Sequence, residues 1–329
     1  MSRDYRFDTM RVMATAMVVL IHIANYYCRE FGSINQSSYF FALTVNILAR
    51  ASIPFFFMIS GANLLSRPYD PIKNRKRIKQ RLISLAIFTA IFCLWDYFYM
   101  EQSIHFRALL NNPERKLLWF LYAILAIYVA LPFIKCMVDN MGAHEDKLFV
   151  VLWLCFTFLQ KEIGLTRSYP IPLIDGTYYL GYFLLGYLIL KYKDKLPFRE
   201  LRKYFIMLAA SSFALTVLLS YLVSILGNKY CSGYLAYSDI LMIIASVSSY
   251  IVLYFSLENR QSRWITELSR ISFGIYLTHG VILDLVMTTF PFTRIHSLIG
   301  FPLFFVLIFG CSGLLVYLLK KIRWLSPYL

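Results

Sequence analysis

Charged residues are scarce in this chain of 329 residues, and acidic ones are scarcer than basic ones. Only 16% of the residues are charged, whereas soluble domains carry roughly a quarter. The charges fall in short islands between long apolar runs, and 59% of all residues are hydrophobic. Water does not solvate such a surface, so the composition excludes an ordinary soluble domain and indicates a protein whose solvent is lipid.

The sequence also lacks the common short motifs of soluble enzymes. It contains no glycine-rich phosphate loop, no zinc-type His-Glu pair and no serine nucleophile elbow. The six cysteines are dispersed, without the close spacing that binds a metal, so we expect no metal site. Cys28 and Cys231 are both assigned below to the outer side of the membrane, and a disulfide between them is one alternative to two free thiols.

Apolar runs of membrane-spanning length, by contrast, are abundant. A span needs about 20 mainly apolar residues. We therefore predict an all-α polytopic membrane helix bundle of about ten transmembrane helices, with 1–329 as a single domain. The first helix is expected to be retained, since no small-residue cleavage site follows it. The predicted spans are 10–28, 40–65, 82–100, 117–134, 147–160, 177–190, 203–226, 237–257, 271–290 and 297–319.

The distribution of basic residues predicts the orientation of the bundle. Ten spans place both termini on one side of the membrane, and the loops of that side hold 23 of the 33 Lys and Arg residues. The opposite loops hold 8, and Arg11 and Arg50 lie within spans. Cytoplasmic loops carry such an excess, so both termini are predicted to be cytoplasmic. The same alternation argues against nucleic acid as the partner of the net charge of +15.

The first span contains three ionisable side chains, which are costly in lipid and therefore candidates for function. Asp8 and Arg11 lie near its cytoplasmic end and His22 lies deep inside. Arg11 and His22 share one helix face, because eleven residues return to nearly the same direction, about 16 Å further along the axis. A helix-entry ion pair, with His22 hydrogen-bonded to a neighbouring helix, is the simpler alternative.

Two other spans carry unusual polar residues. Arg50 precedes Pro54, which is expected to kink or break the second span, and Ser60 follows. In the ninth span Tyr276 and His279 share a face by their spacing of three. Either group fits a functional site, and either also fits helix packing.

A basic run opens the third helix from the cytoplasm. It includes Arg75, Arg77 and Arg81. Clustered arginines suit bidentate binding of the phosphates of a nucleotide or coenzyme. Plain orientation and contact with anionic lipid headgroups explain the same run equally well.

Taken in order, these residues resemble the signatures of the membrane-bound acyltransferase-3 family. The run from Phe7 to His22 is similar to the opening motif of the family, which has an Asp, an Arg three residues on and a His near the far end of the first span. Further along, the resemblance is carried by Arg50 with Pro54-Phe55-Phe56-Phe57 and Ser60-Gly61, by Leu118-Trp119-Phe120-Leu121 before Pro132, and by Tyr276-Leu277-Thr278-His279. The likeness extends from the first span to the last.

The resemblance implies a multi-pass enzyme of the bacterial inner membrane that transfers acyl groups, usually acetyl. Cytoplasmic acetyl-CoA would be the acyl donor, bound as a substrate, and a hydroxyl of a cell-surface or lipid-linked carbohydrate would be the acceptor. A transporter or flippase for an anionic lipid-linked saccharide is the main alternative, because it would use the same Arg and His groups. A purely structural membrane partner is a third.

The resemblance also assigns roles to residues. His22 is expected to act as general base or transient acyl carrier, and Arg11 and Asp8 are assigned with it to the catalytic residues. Donor binding is assigned to Arg50, Arg75, Arg77 and Arg81, although the last three lack the three-residue Arg spacing that is frequent in the family. Further polar candidates are Ser60, Trp119, Tyr276 and His279.

Overall fold

The computed structural model describes residues 3–100, 117–162 and 177–329, and it confirms an all-α bundle over these ranges. Three short 3-10 helices cover Gly233–Leu235, Phe292–Arg294 and Ser326–Tyr328. The α-helices in chain order are α1 (Arg6–Arg29), α2 (Gln36–Ala49), α3 (Ser52–Leu65), α4 (Pro71–Phe98), α5 (Trp119–Asp139), α6 (Ala143–Glu162), α7 (Thr177–Lys191), α8 (Arg202–Leu226), α9 (Ile240–Ser256), α10 (Arg263–Thr289) and α11 (Ser297–Leu319).

Each of the ten predicted spans lies on a helix, but the second is broken into α2 and α3. Pro54 explains the position of the break. Proline has no N–H, so it cannot bond to the carbonyl of Arg50, and it sits instead in the first turn of α3, where no N–H partner is needed. The predicted break is therefore confirmed, and it leaves Arg50 at the joint between the two helices.

Eight segments of the described residues are long and apolar enough to cross a membrane when α2 and α3 are counted together. The predicted spans at 147–160 and 177–190 form α6 and α7, which are not among the eight. Helix α4 begins at Pro71, well before the predicted span at 82. Its early start is stabilised by Asp70, whose side chain accepts the backbone N–H of Lys73 at 3.0 Å.

The two ends of the chain lie at the same end of the bundle. Near the start of α1, Asp8 accepts a hydrogen bond from Ser269 of α10. Just after α11, Lys320 donates to the backbone oxygen of the adjacent Arg270. Both termini are thus on one side, as an even number of spans requires, and the excess of basic residues predicts that this side is cytoplasmic. Four of the basic residues assigned to the outer side lie outside the described residues: Arg107, Arg115, Lys116 and Arg167.

Helices α3 and α7 pack with their backbones in contact. A Cβ added to Gly61 would lie 1.7 Å from the carbonyl oxygen of Phe183, and one added to Gly186 would lie 2.0 Å from that of Met58. Each helix thus contributes one glycine that admits the other backbone. This contact places Tyr179 of α7 near the centre of the bundle.

Helix α1 runs through the middle of the bundle, against α2, α3 and α10. Its buried side is mainly apolar, with Met10, Ala14 and Ile23 fully buried, but it also includes Asp8 and Thr15, each 1% exposed. The polar residues of α1 therefore face neighbouring helices rather than lipid, which is the arrangement expected for ionisable groups within a membrane.

Candidate active site

Asp8 is a buried carboxylate whose two oxygens are both engaged. Its Oδ1 accepts from Arg11 at 3.1 Å and from Ser269 at 3.0 Å, and its Oδ2 accepts from Arg3 at 2.7 Å. The predicted ion pair of Asp8 with Arg11 is therefore present. Because every contact is to the protein itself, Asp8 fixes the position of Arg11 and ties α1 to α10.

Arg11 and Arg81 both lie near Tyr128 of α5. The Cζ of Arg81 lies 3.6 Å from the centre of the Phe273 ring, and its guanidinium is close enough to Tyr128 to interact with it electrostatically. Arg11 is close enough to Tyr128 to interact with it electrostatically. Helices α1 and α4 thus each contribute one arginine at the end of the bundle that holds the termini.

An open cavity of about 760 Å³ lies at this end, between α3, α4 and α5. Three cations line it, Arg67, Lys73 and Arg77, together with the polar side chains of Asn63, Ser66, Tyr69 and Asp70. Arg77 lies one helical turn before Arg81, on the same face of α4. Arg75 is exposed and points away from this face. The structure thus brings together two of the three predicted arginines and separates Arg75 from them.

Inside the bundle, His22 lies against His279. The two rings belong to α1 and α10, and their centres are 5.2 Å apart. His22 is half-buried, whereas His279 has no exposed surface. The Nδ1 atom of His279 lies 2.6 Å from the backbone oxygen of Tyr276. The histidines of the first and ninth predicted spans are therefore in contact in the folded protein.

The histidine pair is continued by a series of aromatic side chains, which we call the aromatic collar. The Tyr276 hydroxyl donates to the backbone oxygen of Leu117 at 2.5 Å, which holds α10 against the start of α5. Arg50 stands at the far end of the collar, over the ring of Tyr237. Successive separations along the collar are His279 to Tyr276 5.9 Å, Tyr276 to Phe120 5.6 Å, Phe120 to Trp119 6.4 Å, Trp119 to Tyr237 5.8 Å and Tyr237 to the Cζ of Arg50 5.6 Å.

Arg50 lies with His22 rather than with the arginines of α4. Its Nη1 donates to the backbone oxygen of Leu235 at 2.8 Å, and its Nε donates to Asn46 at 3.0 Å. Asn46 in turn donates to Asn25 of α1 at 2.7 Å. The break between α2 and α3 thus presents a cation beside the histidine pair.

A second polar contact between α1 and α10 lies one turn beyond the histidines. Tyr26 donates to Asp284 at 2.9 Å. Asp284 was not among the predicted site residues, although Tyr26 follows His22 by four residues and Asp284 follows His279 by five, which places each on its helix near its histidine. The spacing was therefore visible in the sequence, but the pairing of these two helices was not.

Several other residues of the site had no signal in the sequence. Tyr128 and Tyr237 are two of 25 tyrosines and reach the site only through helix packing. The predicted candidate Ser60 is half-buried on α3, next to Gly61. Cys28 and Cys231 are both free thiols, so the alternative of a disulfide is not realised in the structure.

Comparison with known proteins gives one match that spans nearly the whole chain. A family model described as an acyltransferase domain, Acyl_transf_3, matches residues 4–319. No curated protein and no solved structure gives a significant match. The matched range contains both the cation-lined end and the histidine pair. The chain therefore belongs to the acyltransferase-3 family and is a membrane acyltransferase.

Proposed function

We propose that this acyltransferase moves an acetyl group from cytoplasmic acetyl-CoA to a hydroxyl of a cell-surface or lipid-linked carbohydrate in the bacterial inner membrane. The observation that carries the proposal is the placement of His22. It is a half-buried imidazole inside the bundle, on the same helix as Arg11 and eleven residues away from it. One helix thus connects a cation-rich end to a group suited to acid–base chemistry.

We place the binding site of the acyl donor at the end of the bundle that contains both chain termini. Arg67, Lys73 and Arg77 line the cavity there and match the phosphates of a coenzyme in charge. Arg81 and Arg11 continue the line of cations from the cavity towards α1. From Arg11 the acyl arm has about 16 Å to cover along α1 to reach His22, at 1.5 Å per residue. An extended pantetheine arm is of comparable length.

The acceptor is assigned to the aromatic collar. Trp119 is half-buried there and stacks on Tyr179 at 5.2 Å and on Tyr237 at 5.8 Å. Aromatic faces pack well against the apolar C–H faces of sugar rings, and the few polar groups around them orient a ligand. Arg50, Asn25 and the pair of Tyr26 with Asp284 supply such groups on the side of His22 away from Arg11.

In the proposed reaction, His22 acts as the general base. Its unprotonated ring nitrogen takes the proton of the acceptor hydroxyl while the oxygen attacks the thioester carbonyl carbon. The C–S bond then breaks, its electron pair goes to sulfur, and the imidazolium returns the proton to give the free thiol of coenzyme A. Transient acylation of His22 requires the same unprotonated nitrogen.

Transfer of labelled acetyl tests the proposal. Membranes that contain the protein are incubated with acetyl-CoA labelled in the acetyl group, and the label is followed into the lipid-linked and polysaccharide fractions. We expect transfer by the native protein and a loss of about 100-fold or more in His22→Ala, since general-base catalysis contributes about 10²–10⁴-fold. His144→Ala is the matched control, because His144 is exposed at the start of α6.

Full activity of His22→Ala would refute the assignment of the base. If the native protein transfers no label but moves lipid-linked saccharide across vesicles, the transporter alternative is correct instead. A loss of transfer in His144→Ala as large as in His22→Ala would likewise contradict the proposed site.

A further inference from the structure

His279 has one ring nitrogen with a partner and one without. Its Nδ1 lies 2.6 Å from the backbone oxygen of Tyr276, and its Nε2 is buried without a hydrogen-bond partner among the described residues. A carbonyl oxygen only accepts hydrogen bonds, so Nδ1 carries the proton of the neutral ring. The Nε2 atom therefore has a free lone pair. Buried polar atoms are normally paired, so this unpaired acceptor calls for an explanation.

The neighbour of this acceptor is the ring of His22, whose centre is 5.2 Å from that of His279. The two rings differ in access. His22 is half-buried, so part of its ring is accessible, whereas His279 has no exposed surface and its Nε2 is buried. Any effect of His279 on a substrate must therefore pass through His22.

We propose that His279 is a positioning residue that fixes the tautomer of His22. Its Nε2 accepts a hydrogen bond from one ring N–H of His22, so that the other nitrogen of His22 presents its lone pair to the acceptor hydroxyl. The hydrogen bond forms when the substrates bind, since catalytic hydrogen bonds tighten in the reacting complex. The inference rests on the proposed function, because it assigns a partner to the proposed base.

The arrangement corresponds to a catalytic triad in which a neutral imidazole replaces the carboxylate that orients the base. When His22 takes the hydroxyl proton, the lone pair of His279 stabilises the resulting imidazolium. The proton on Nδ1 of His279 stays on that nitrogen throughout and is donated to the backbone oxygen of Tyr276. The hydroxyl proton passes from oxygen to His22 and then to the thiolate of coenzyme A, so His279 neither gains nor loses a proton over the cycle.

Two variants of His279 and one of the adjacent Thr278 test this role. We expect His279→Ala to lower kcat for acetyl transfer from acetyl-CoA by about 10- to 100-fold, the usual effect of losing a group that orients another, with little change in KM. His279→Gln should recover a substantial part of kcat, because its amide oxygen offers an acceptor near the position of Nε2. Thr278→Val is the matched control, because Thr278 is buried beside His279 and its hydroxyl donates to the backbone oxygen of Gly274 in the same helix.

The outcomes separate this inference from the proposed function. Wild-type kcat in His279→Ala, together with an inactive His22→Ala, refutes the positioning role alone. An equal loss in His279→Ala and His279→Gln, or a loss confined to KM, shows a packing role and also refutes it. Activity of His22→Ala refutes the proposed function itself.

Nitrogen NMR of the native protein tests the tautomer without any assay of activity. With ¹⁵N-labelled histidine, we expect His279 to show a protonated Nδ1 and an unprotonated Nε2, assigned by the loss of these signals in His279→Gln. The reverse tautomer, or a doubly protonated ring at neutral pH, would refute the inference even if the alanine variant fails to fold.

Discussion

The imidazole rings of His22 and His279 lie with their centres 5.2 Å apart, inside the bundle and far from each other in the chain. Two further contacts hold the same pair of helices: Asp8 with Ser269 at 3.0 Å near one end, and Tyr26 with Asp284 at 2.9 Å beyond the histidines. The histidine pair thus lies between two polar ties. Such support restricts the motion of both rings, which a precise proton transfer needs.

The arginines of α4 should differ in their effect on the donor. We expect Arg77→Ala to raise the KM for acetyl-CoA about tenfold or more, since a charge-assisted hydrogen bond contributes about 1.5–3 kcal/mol. Arg75→Ala should leave KM nearly unchanged, because Arg75 is exposed outside the cavity that Arg77 lines. Steady-state release of coenzyme A measures both. A larger effect of Arg75→Ala would place the donor elsewhere.

Loss of the Asp8 charge should destabilise the protein. The Asp8 side chain is only 2% exposed and forms ion pairs with both Arg11 and Arg3. Removing its charge leaves Arg11 and Arg3, whose side chains are 35% and 46% exposed, without their anionic partner and weakens the charge-assisted hydrogen bonds that they donate. We expect Asp8→Asn to lower the melting temperature in detergent and to reduce transfer.

Glu267→Gln is the control for Asp8→Asn. Glu267 pairs with Arg270, but both side chains are more than half exposed, and such pairs contribute little to stability. Equal melting temperatures for the two variants would contradict the stabilising role of the Asp8 charge.

The contact of α3 with α7 should not tolerate a methyl group. A Cβ on Gly186 would lie 2.0 Å from a backbone oxygen, and a backbone cannot give way as a flexible side chain does. We expect Gly186→Ala to fold poorly, with a loss of about 3 kcal/mol or more. Gly310→Ala is the control, since among the described residues no atom outside the backbone of its own helix and its two chain neighbours lies within 4 Å of its added Cβ. Yield and melting temperature by fluorescence-detected size exclusion measure both. A stable Gly186→Ala would show that the helices can move apart.

Asp4 should contribute stability that depends on pH. Burial raises the pKa of its carboxyl, but hydrogen bonds from Arg6 and Tyr254 outweigh this and hold the pKa below the usual value of 3.8. The contribution is therefore fully present above the unfolded pKa and is lost as the pH falls through the folded pKa. We expect Asp4→Asn to melt earlier than the native protein at pH 7, with the difference shrinking below about pH 4.

Asp194→Asn is the control for this pH dependence, because the Asp194 side chain is 86% exposed. Its melting temperature should follow that of the native protein over the whole range. A constant difference between Asp4→Asn and the native protein down to low pH would show that the carboxyl charge is not the cause.

Much of the helical layout could be predicted from the residues, because a chain that crosses lipid has few alternatives to the helix. The ten predicted spans all lie on helices, and the break before Pro54 follows from the missing N–H of proline. Helix ends were predicted less well. Helix α4 starts at Pro71, because the cap by Asp70 adds turns that hydropathy does not detect.

The candidate site was predicted in pieces. Periodicity placed Arg11 and His22 on one face of the first helix, and the family likeness singled out His279, Tyr276 and Trp119. Nothing in the spacing distinguished Arg77 from Arg75, because a run of basic residues has no apolar pattern that shows which side faces the cavity. Nor did it show that Arg50 lies with His22, since that depends on how α2 and α3 meet.

By itself the sequence determined that the protein lies in lipid, where most of its helices run and to which family it belongs. It also determined which face of α1 carries the ionisable residues. These follow from local composition and helical period, which act over short stretches of chain. Only the tertiary structure decided that His22 contacts His279 and that Arg77 rather than Arg75 lines the cavity. The same holds for the hydrogen bonds that Asp8 accepts, which come from Arg11, Arg3 and Ser269. Helices in lipid choose partners by close packing and polar contacts between distant residues, and no local pattern encodes that choice.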